Sequence, residues 1–305
     1  MIYTLTLNPS IDYVVKIERF QQGALNRAEE DFKLPGGKGI NVSRILKRMT
    51  IESTALGFLG GFTGDFIRKW LDKEHITNHF IQINDESRIN IKLKSDTETE
   101  INGCSPELSK SEIQELLNQL ANLKKGDIVV LSGSTPTCLE DDFYLKLIKL
   151  IKSQGADFAI DTTGKVLTKA LVHQPLLIKP NIDELADLFK LTETPKRIDD
   201  VIPYGLQLLN LGAQNVIISM GGNGALFFNN EGIYQSNVLD GTLMNSVGAG
   251  DSMIAGFIGH FSTSKNSLEA FKWGVASGSA TAFSNDLASN EFITELFPNV
   301  LIGKL

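Results

Sequence analysis

The chain has 305 residues, 42% of them hydrophobic and 21% charged, with a formal net charge of −7. That length accommodates one large α/β domain or two smaller ones, and the negative balance argues against a general nucleic-acid or anionic-membrane binder while leaving room for local basic clusters. No apolar run approaches the roughly 18–20 residues of a transmembrane helix, and Cys104 and Cys138 are too few and too isolated for a disulfide framework or a zinc site.

The first apolar run, Ile2 to Leu7, predicts a buried strand closed by the turn at Asn8-Pro9. Its start has no basic stretch and turns polar too soon for a secretory signal, so the expectation is a cytoplasmic protein. Two short alternating segments follow, Tyr13–Ile17 and Asn26–Phe32, without helical periodicity. Gly36-Gly37-Lys38-Gly39-Ile40-Asn41 then opens a helix. Val42, Ile45, Leu46 and Met49 share its apolar face, and Arg44, Lys47 and Arg48 lie elsewhere. A second pair of short strands, Arg88–Lys94 and Glu98–Ile101, frames a polar turn at Ser95-Asp96-Thr97. These four short strands suit a small exposed sheet of their own better than a buried parallel one.

From about residue 110 the pattern becomes regular strand–helix alternation. Strands are predicted at Ile128–Leu131, Phe158–Ile160, Leu176–Ile178 and Val216–Ser219, and helices at Lys110–Leu123, Asp141–Ser153, Ile182–Phe189 and Val201–Leu211. Such alternation indicates a parallel sheet with helices on both faces. Ala225–Phe228 and Ile233–Ser236 flank Asn229-Asn230-Glu231-Gly232, a hairpin signal. The helix after Asp251 places Met253, Ile254, Phe257, Ile258 and Phe261 on its buried face, with Gly256 and Gly259 marking close packing. No repeat, low-complexity tract or linker interrupts the chain, so residues 1–305 are expected to form a single domain.

Ligands of open α/β sheets bind beyond the carboxyl ends of the strands. Small polar turns stand at those predicted ends: Ser132-Gly133-Ser134, Asp161-Thr162-Thr163, Lys179-Pro180-Asn181 and Ser219–Gly224. Two glycine-rich motifs, Gly36–Asn41 and Val247-Gly248-Ala249-Gly250-Asp251-Ser252, each sit at a predicted helix start, where unpaired N–H groups and the positive dipole end can hold an anion. Gly36–Asn41 is not a Walker A loop, since no glycine stands five residues before Gly37 and Gly39 follows Lys38. Neither motif matches the dinucleotide fingerprint GxGxxG, which disfavours a nicotinamide-dependent oxidoreductase.

Only the second motif carries an acid. A carboxylate beside an anion cradle makes sense if it removes a proton from a hydroxyl that attacks a phosphate; the plain alternative for Asp251 is an N-cap. Asn181-Ile182-Asp183-Glu184 reads either as a capping box or as a Glu184 that reaches a hydrated Mg²⁺, and both can hold together. Arg88 and Asn90 share one face of a strand, as solvated surface or for phosphate recognition. Of the histidines at 75, 79, 173 and 260, only His75 and His79 have a metal-like spacing, and all four are read as structural.

On these residues the chain resembles the ribokinase-like PfkB carbohydrate kinases. Gly36–Asn41 and Gly248–Ser252 look like the two signatures of that family, and the likeness extends to the opening Thr6–Asp12, Lys179–Glu184 and Ser219–Gly224. Within the family, Leu7–Asp12 and Thr99-Glu100-Ile101-Asn102 are similar to the sugar-phosphate kinases. The resemblance implies a three-layer α/β sandwich with a mostly parallel central sheet. A small β-sheet lid from about residues 12–32 and 88–101 would clasp a second copy as a homodimer.

The resemblance also implies ATP lying across the carboxyl edge, held by Lys179, Asn181, Ser219, Gly221, Gly224, Gly248 and Gly250. Asp251 would be the general base, and the N–H groups of Ala249 and Gly250 would stabilise the transferring phosphoryl. Glu184 would act on Mg²⁺ through water. Asp12, Gly37 and Asn41 match positions that hold sugar hydroxyls. Arg27, Lys38, Arg88, Asn90 and Ser134 are candidates for an existing phosphate, and Glu100 for a sugar contact. The reaction implied is ATP-dependent phosphorylation of D-fructose 1-phosphate at its free primary hydroxyl. Tagatose 6-phosphate and fructose 6-phosphate are the rival substrates, and the intact Asp251 and Glu184 argue against a non-catalytic sensor. One departure stands out: many members carry Asp-Thr-Thr or Asp-Thr-Val before Gly-Ala-Gly-Asp and bind a monovalent cation there. This chain has Asn245-Ser246-Val247, without the carboxylate, so activation by K⁺ is doubtful even though backbone carbonyls are left for a weaker site.

Overall fold

In the computed structural model, which describes all 305 residues, the first strand, β1 (Ile2–Thr6), lies in the interior of the large sheet. It is followed by β2 (Ser10–Lys16), β3 (Glu30–Gly36), α1 (Lys38–Arg48), β4 (Ser53–Gly60) and α2 (Gly61–Lys73). Short β5 (Thr77–Asn78) and β6 (Ile81–Ile83) precede β7 (Arg88–Lys94) and β8 (Glu98–Asn102). The alternating part comprises α3 (Lys110–Leu120), β9 (Ile128–Ser132), α4 (Phe143–Ser153), β10 (Asp157–Asp161), α5 (Gly164–Leu171), β11 (Leu177–Ile178), α6 (Ile182–Phe189), α7 (Ile198–Asn210) and β12 (Val216–Ser219). The chain closes with β13 (Ala225–Asn229), β14 (Gly232–Ser236), α8 (Ala249–Ser264), α9 (Ser267–Ala282), α10 (Asn290–Leu296) and β15 (Ile302–Lys304).

The large sheet runs β15-β14-β13-β12-β11-β10-β9-β1-β4-β5, with β6 also paired to β4. Its members from β12 to β5 are parallel, and only β13, β14 and β15 are antiparallel. Both faces are covered, as a parallel sheet requires. Leu116, Leu147, Ile148, Leu185 and Val201 from α3, α4, α6 and α7 close one side. Ile45 and Leu46 of α1, with Ile254, Phe257 and Phe271 of α8 and α9, close the other. The expected three-layer α/β architecture is therefore present. The four short strands form a separate sheet of order β3-β2-β7-β8. Its alternation leaves one face polar, with Ser10, Asp12, Arg88 and Asn90 in register across β2 and β7.

Several elements differ from the sequence expectation. The strand expected at Asn26–Phe32 lies four residues further on, as β3, and takes in Pro35. Proline is tolerated there because β3 is an edge strand and needs no inward N–H at every position. Alternation begins at β1 rather than near residue 110, since α1, β4 and α2 already add to the large sheet and its cover. β4 is buried at every position, yet its sequence STALGFLG dilutes the hydrophobic signal with small residues. α9 was missed for a related reason, since it is rich in Ala, Gly and Ser. Those small residues let α9 press against α8: a Cβ on Gly274 would stand 2.9 Å from the Met253 carbonyl oxygen, and one on Gly256 of α8 would stand 2.5 Å from that of Trp273. The close packing expected at Gly256 and Gly259 is thus found. Arg44, placed outside the apolar face, is instead only 2% exposed, neutralised by Glu74 and Asp286.

Candidate active site

Connections from β1 lead one way, to β4 and β5, and those from β9 lead the other way, through β10 to β12. The strand order therefore reverses between β1 and β9, the point where ligands of such sheets bind. A cleft of about 390 Å³ opens there, beyond the ends of these two strands, where Thr6, Asn8, Ser132 and Ser134 line it. The small sheet contributes Asp12, Arg88, Asn90 and Lys92, and the start of α1 contributes Gly37, Lys38 and Asn41. Asp161 ends β10, Lys179 and Asn181 follow β11, Glu184 lies in α6, and Gly248, Gly250 and Asp251 open α8. One apolar residue, Val247, is among the lining. The cleft is suited to a highly polar, charged ligand.

Gly248 is the N-cap of α8 with φ +80°, and a Cβ there would lie 2.6 Å from Leu287 Cδ2. Only glycine combines that left-handed turn with that approach. The N–H groups of Gly250 and Asp251 meet no acceptor in the chain, so the first turn presents free donors to the cleft. Asp251 sits in this turn rather than at the N-cap. It is 6% exposed, and its Oδ2 accepts a hydrogen bond from Asn41 Nδ2 at 2.9 Å. Burial and the neighbouring Asp161 push its pKa up to about 6 against the pull of Asn41, Lys38 and Lys179. A carboxylate held partly out of water and poised near neutrality has the properties of a general base.

The cations differ in how they are neutralised. Lys38 Nζ pairs with Asp161 at 2.8 Å and stands 3.9 Å from Glu184. Burial works to lower the Lys38 pKa, but Asp161 outweighs it and holds the ammonium charged. Arg88 is only weakly satisfied: its guanidinium donates to the Asn8 carbonyl at 3.3 and 3.4 Å. Burial lowers its pKa, and Asp12 offsets part of that effect. Lys179 is 6% exposed, with no carboxylate within ion-pair distance; a Cβ on Gly250 would come within 2.9 Å of its Nζ. A buried ammonium without a counter-ion, next to unsatisfied N–H groups, calls for an anion.

The structure gathers Asp12, Gly37, Lys38, Asn41, Arg88, Asn90, Ser134, Lys179, Asn181, Glu184, Gly248, Gly250 and Asp251 in one cleft, with Ala249 between its glycines. Asn90 plays a supporting part: its Nδ2 donates to Ser10 Oγ and to Asp12 Oδ1, and its Oδ1 accepts from Gly103 N–H. Of the two readings of Asn181–Glu184, the capping box is present. It is complete, with Glu184 Oε2 accepting from Asn181 N–H at 2.9 Å, while the other oxygen faces Lys38.

Ser219, Gly221 and Gly224 fall outside the cleft lining. Ser219 pairs by an isolated bridge with Asn181, and the 3₁₀ turn Gly221–Asn223 continues outward from it. Arg27 lies on an exposed loop between β2 and β3 and is not among the residues lining the cleft. Glu100 is not in the cleft either; it pairs with Lys92, which is. Lys92 and Asp161 were given no site role from sequence. Lys92 was legible as the next residue on the strand face of Arg88 and Asn90, and Asp161 belonged to a recognised strand-end turn.

Residues 5–291 match the profile of the pfkB family carbohydrate kinases. The 1-phosphofructokinase of Bacillus subtilis is 48% identical over 305 residues, covering all of both chains. The tagatose-6-phosphate kinase of Staphylococcus epidermidis is 36% identical over 262 residues, 84% of each chain. The crystal structure of phosphofructokinase-2 from Escherichia coli in complex with potassium superposes with a TM-score of 0.89 at 28% identity, covering 98% of each chain.

Proposed function

Because the chain belongs to the pfkB family of carbohydrate kinases, we propose that it is an ATP-dependent sugar-phosphate kinase converting D-fructose 1-phosphate to fructose 1,6-bisphosphate. The observation that carries the phosphoryl-transfer reading is the buried, unpaired Lys179 beside the free N–H groups that open α8, with Asp251 in the same turn. The substrate reading leans on the full-length similarity to 1-phosphofructokinase. Asp251 Oδ1, which takes no hydrogen bond, accepts the proton of the sugar's primary hydroxyl as that oxygen forms its bond to the γ-phosphorus. The bond to the β-phosphate oxygen breaks and ADP leaves. Asn41 fixes the carboxylate's orientation through its other oxygen. The free N–H groups of Gly250 and Asp251, with Lys179, stabilise charge on the phosphoryl oxygens, while the Ala249 N–H, expected there from the sequence, donates to the Ser246 carbonyl at 3.4 Å.

Asp12 holds sugar hydroxyls; its Oδ1 is already taken by Ser10 Oγ at 2.8 Å and by Asn90, which leaves Oδ2 to the ligand. Arg88, the least satisfied cation on the sugar side, anchors the existing phosphate. ATP extends along Lys179, Asn181 and the Ser219–Gly224 turn. The chain offers no cluster of three metal-binding side chains, and Glu184 offers one carboxylate oxygen outside its capping box. That donor set fits Mg²⁺, which keeps most of its waters and takes the rest of its ligands from nucleotide phosphates. When bound, such an ion neutralises charge on those phosphates. The small sheet acts as a lid and as the contact to a second copy.

ADP release measured with fructose 1-phosphate, tagatose 6-phosphate and fructose 6-phosphate at matched low concentrations tests the substrate. Fructose 1-phosphate is expected to be fastest. Comparable rates for the two 6-phosphates with fructose 1-phosphate poor would transfer the assignment to them, and no ADP release with any would remove the kinase reading.

A further inference from the structure

The segment Asn245-Ser246-Val247 leading into α8 is where the family resemblance implies a monovalent cation, and the E. coli neighbour was solved with potassium. The residues here do not fit one. Asn245 brings an amide in place of a carboxylate; its Oδ1 accepts from Val247 N–H at 3.1 Å, and its Nδ2 donates to the Asn285 carbonyl at 3.4 Å. The Ala282 carbonyl accepts from the N–H groups of Met244 and Asn245, at 2.9 and 3.2 Å, which occupies both of its lone pairs. The carbonyls of Leu287 and Ala288 accept from Arg48 Nη1, the second at 3.1 Å. Asp286, the carboxylate of the same loop, receives Arg44 at 2.7 Å and Arg48 at 3.1 Å. An alkali cation is held by free oxygen lone pairs. Here N–H donors engage the oxygens just named and leave the Asn245 and Val247 backbone carbonyls without a donor, and the fixed positive charge of Arg48 stands among the engaged set.

That loop braces the catalytic turn from behind. Leu287 packs on Gly248, the N-cap of α8. The Ala288 N–H donates to Thr281 Oγ1 at 3.2 Å, Thr281 donates to Ser252 Oγ at 2.8 Å, and Ser252 donates to the Gly248 carbonyl at 2.8 Å. Whatever holds Leu287 and Ala288 therefore bears on the turn that carries Gly250 and Asp251.

We propose that Arg48 is a positioning residue whose guanidinium supplies the charge a monovalent cation would bring to this loop, so that turnover here needs no such cation. The proposal rests on the kinase reading, and its test separates the two, because measurable turnover establishes the kinase before any salt is varied. The wild-type protein is assayed with ATP and its preferred sugar phosphate while KCl replaces tetramethylammonium chloride at a constant ionic strength of about 0.1 M. Its thermal midpoint is followed in parallel without substrates. We expect kcat to change less than about twofold and the midpoint to stay level. Stimulation of kcat by K⁺ several-fold, or a midpoint that climbs with K⁺ alone, would overturn the proposal.

Arg48→Met is expected to lower kcat by about ten- to a hundredfold while the KM for the sugar phosphate moves less than about threefold, with partial recovery in Arg48→Lys, which keeps the charge but not the fork. An Arg48→Met protein that folds and turns over normally would equally refute the role. Should that variant not fold, the wild-type potassium titration still decides.

Discussion

Asp251 meets two demands that oppose each other. To accept a proton it must ionise, and to be a strong enough base it must sit where ionisation is disfavoured. Its burial beside Asp161 raises its pKa to about 6, and Asn41, Lys38 and Lys179 keep it from rising further. A carboxyl whose folded value exceeds its unfolded one stabilises the fold while protonated. That contribution is complete below the ordinary aspartate value of 3.8 and is lost as the pH rises through about 6. Asp251→Asn should therefore become more stable than the parent between about pH 4 and 6, by at most about 3 kcal/mol, with the gap level above that range. Denaturant unfolding of both proteins across these pH values reads the difference, and parallel curves would refute the shift. The same variant should lose about 10²–10⁴-fold in kcat with its far-UV circular dichroism unchanged. Near-normal turnover would remove Asp251 from the role of base.

At the scale of elements, the site depends on α1 and α8 being held in one relative position, since Asn41 and Lys38 come from one and Asp251 from the other. Arg44 of α1 is the buried tie. It donates to Glu74, just past α2, at 2.9 Å and to Asp286, just past α9, at 2.7 Å, and Trp70 Nε1 donates to Glu74 at 3.0 Å. Burial works to raise the Asp286 pKa, but Arg44 outweighs it and holds the carboxyl below its usual range. A depressed carboxyl contributes stability that is present above its unfolded value and lost as the pH falls through its folded one. Arg44→Met removes the buried guanidinium between the two carboxylates and leaves Asp286 with Arg48 at 3.1 Å and Glu74 with Trp70 Nε1 and Arg48 at 3.9 Å. Because both keep some contact with water, the expected cost is near the low end for such pairs, about 3 kcal/mol. It would appear as a lower denaturant midpoint with an unchanged slope. A loss below about 0.5 kcal/mol would mean that the pairs are incidental.

For the whole molecule, the open question is what lies over the small sheet. Ile89 and Ile101 are exposed on the side opposite Asp12 and Arg88, and apolar side chains on a sheet of this size suit association with a second copy. Sedimentation equilibrium should give twice the 33.4 kDa chain mass. Ile101→Lys should shift that equilibrium toward the single chain and raise the KM for the sugar phosphate, since the sheet carries Asp12 and Arg88. A wild-type protein that sediments as one chain at micromolar concentration would remove the clasp. Arg27 belongs to this scale as well: its loop leaves it outside the cleft, so it reaches a substrate phosphate only through movement of the sheet.

The architecture, and most of the residues that meet in the cleft, were legible in local patterns of the chain. Strand–helix alternation, a capping box at Asn181–Glu184, and glycines where a chain must turn left-handed into a helix are legible within a few residues. What remained hidden depends on partners far away in the chain. Nothing near Arg44 reveals that Glu74 and Asp286 neutralise it; by periodicity alone it reads as a surface residue. β4 and α9 were silent because small residues pack closely without an apolar stripe. Asp161 acquires its importance only when β10 is set beside β9, so that it meets Lys38 from α1 and Asp251 from α8. Only the tertiary structure decided which charges are neutralised and which are left for a ligand, because electrostatics in a cleft is settled by groups converging from opposite ends of the chain.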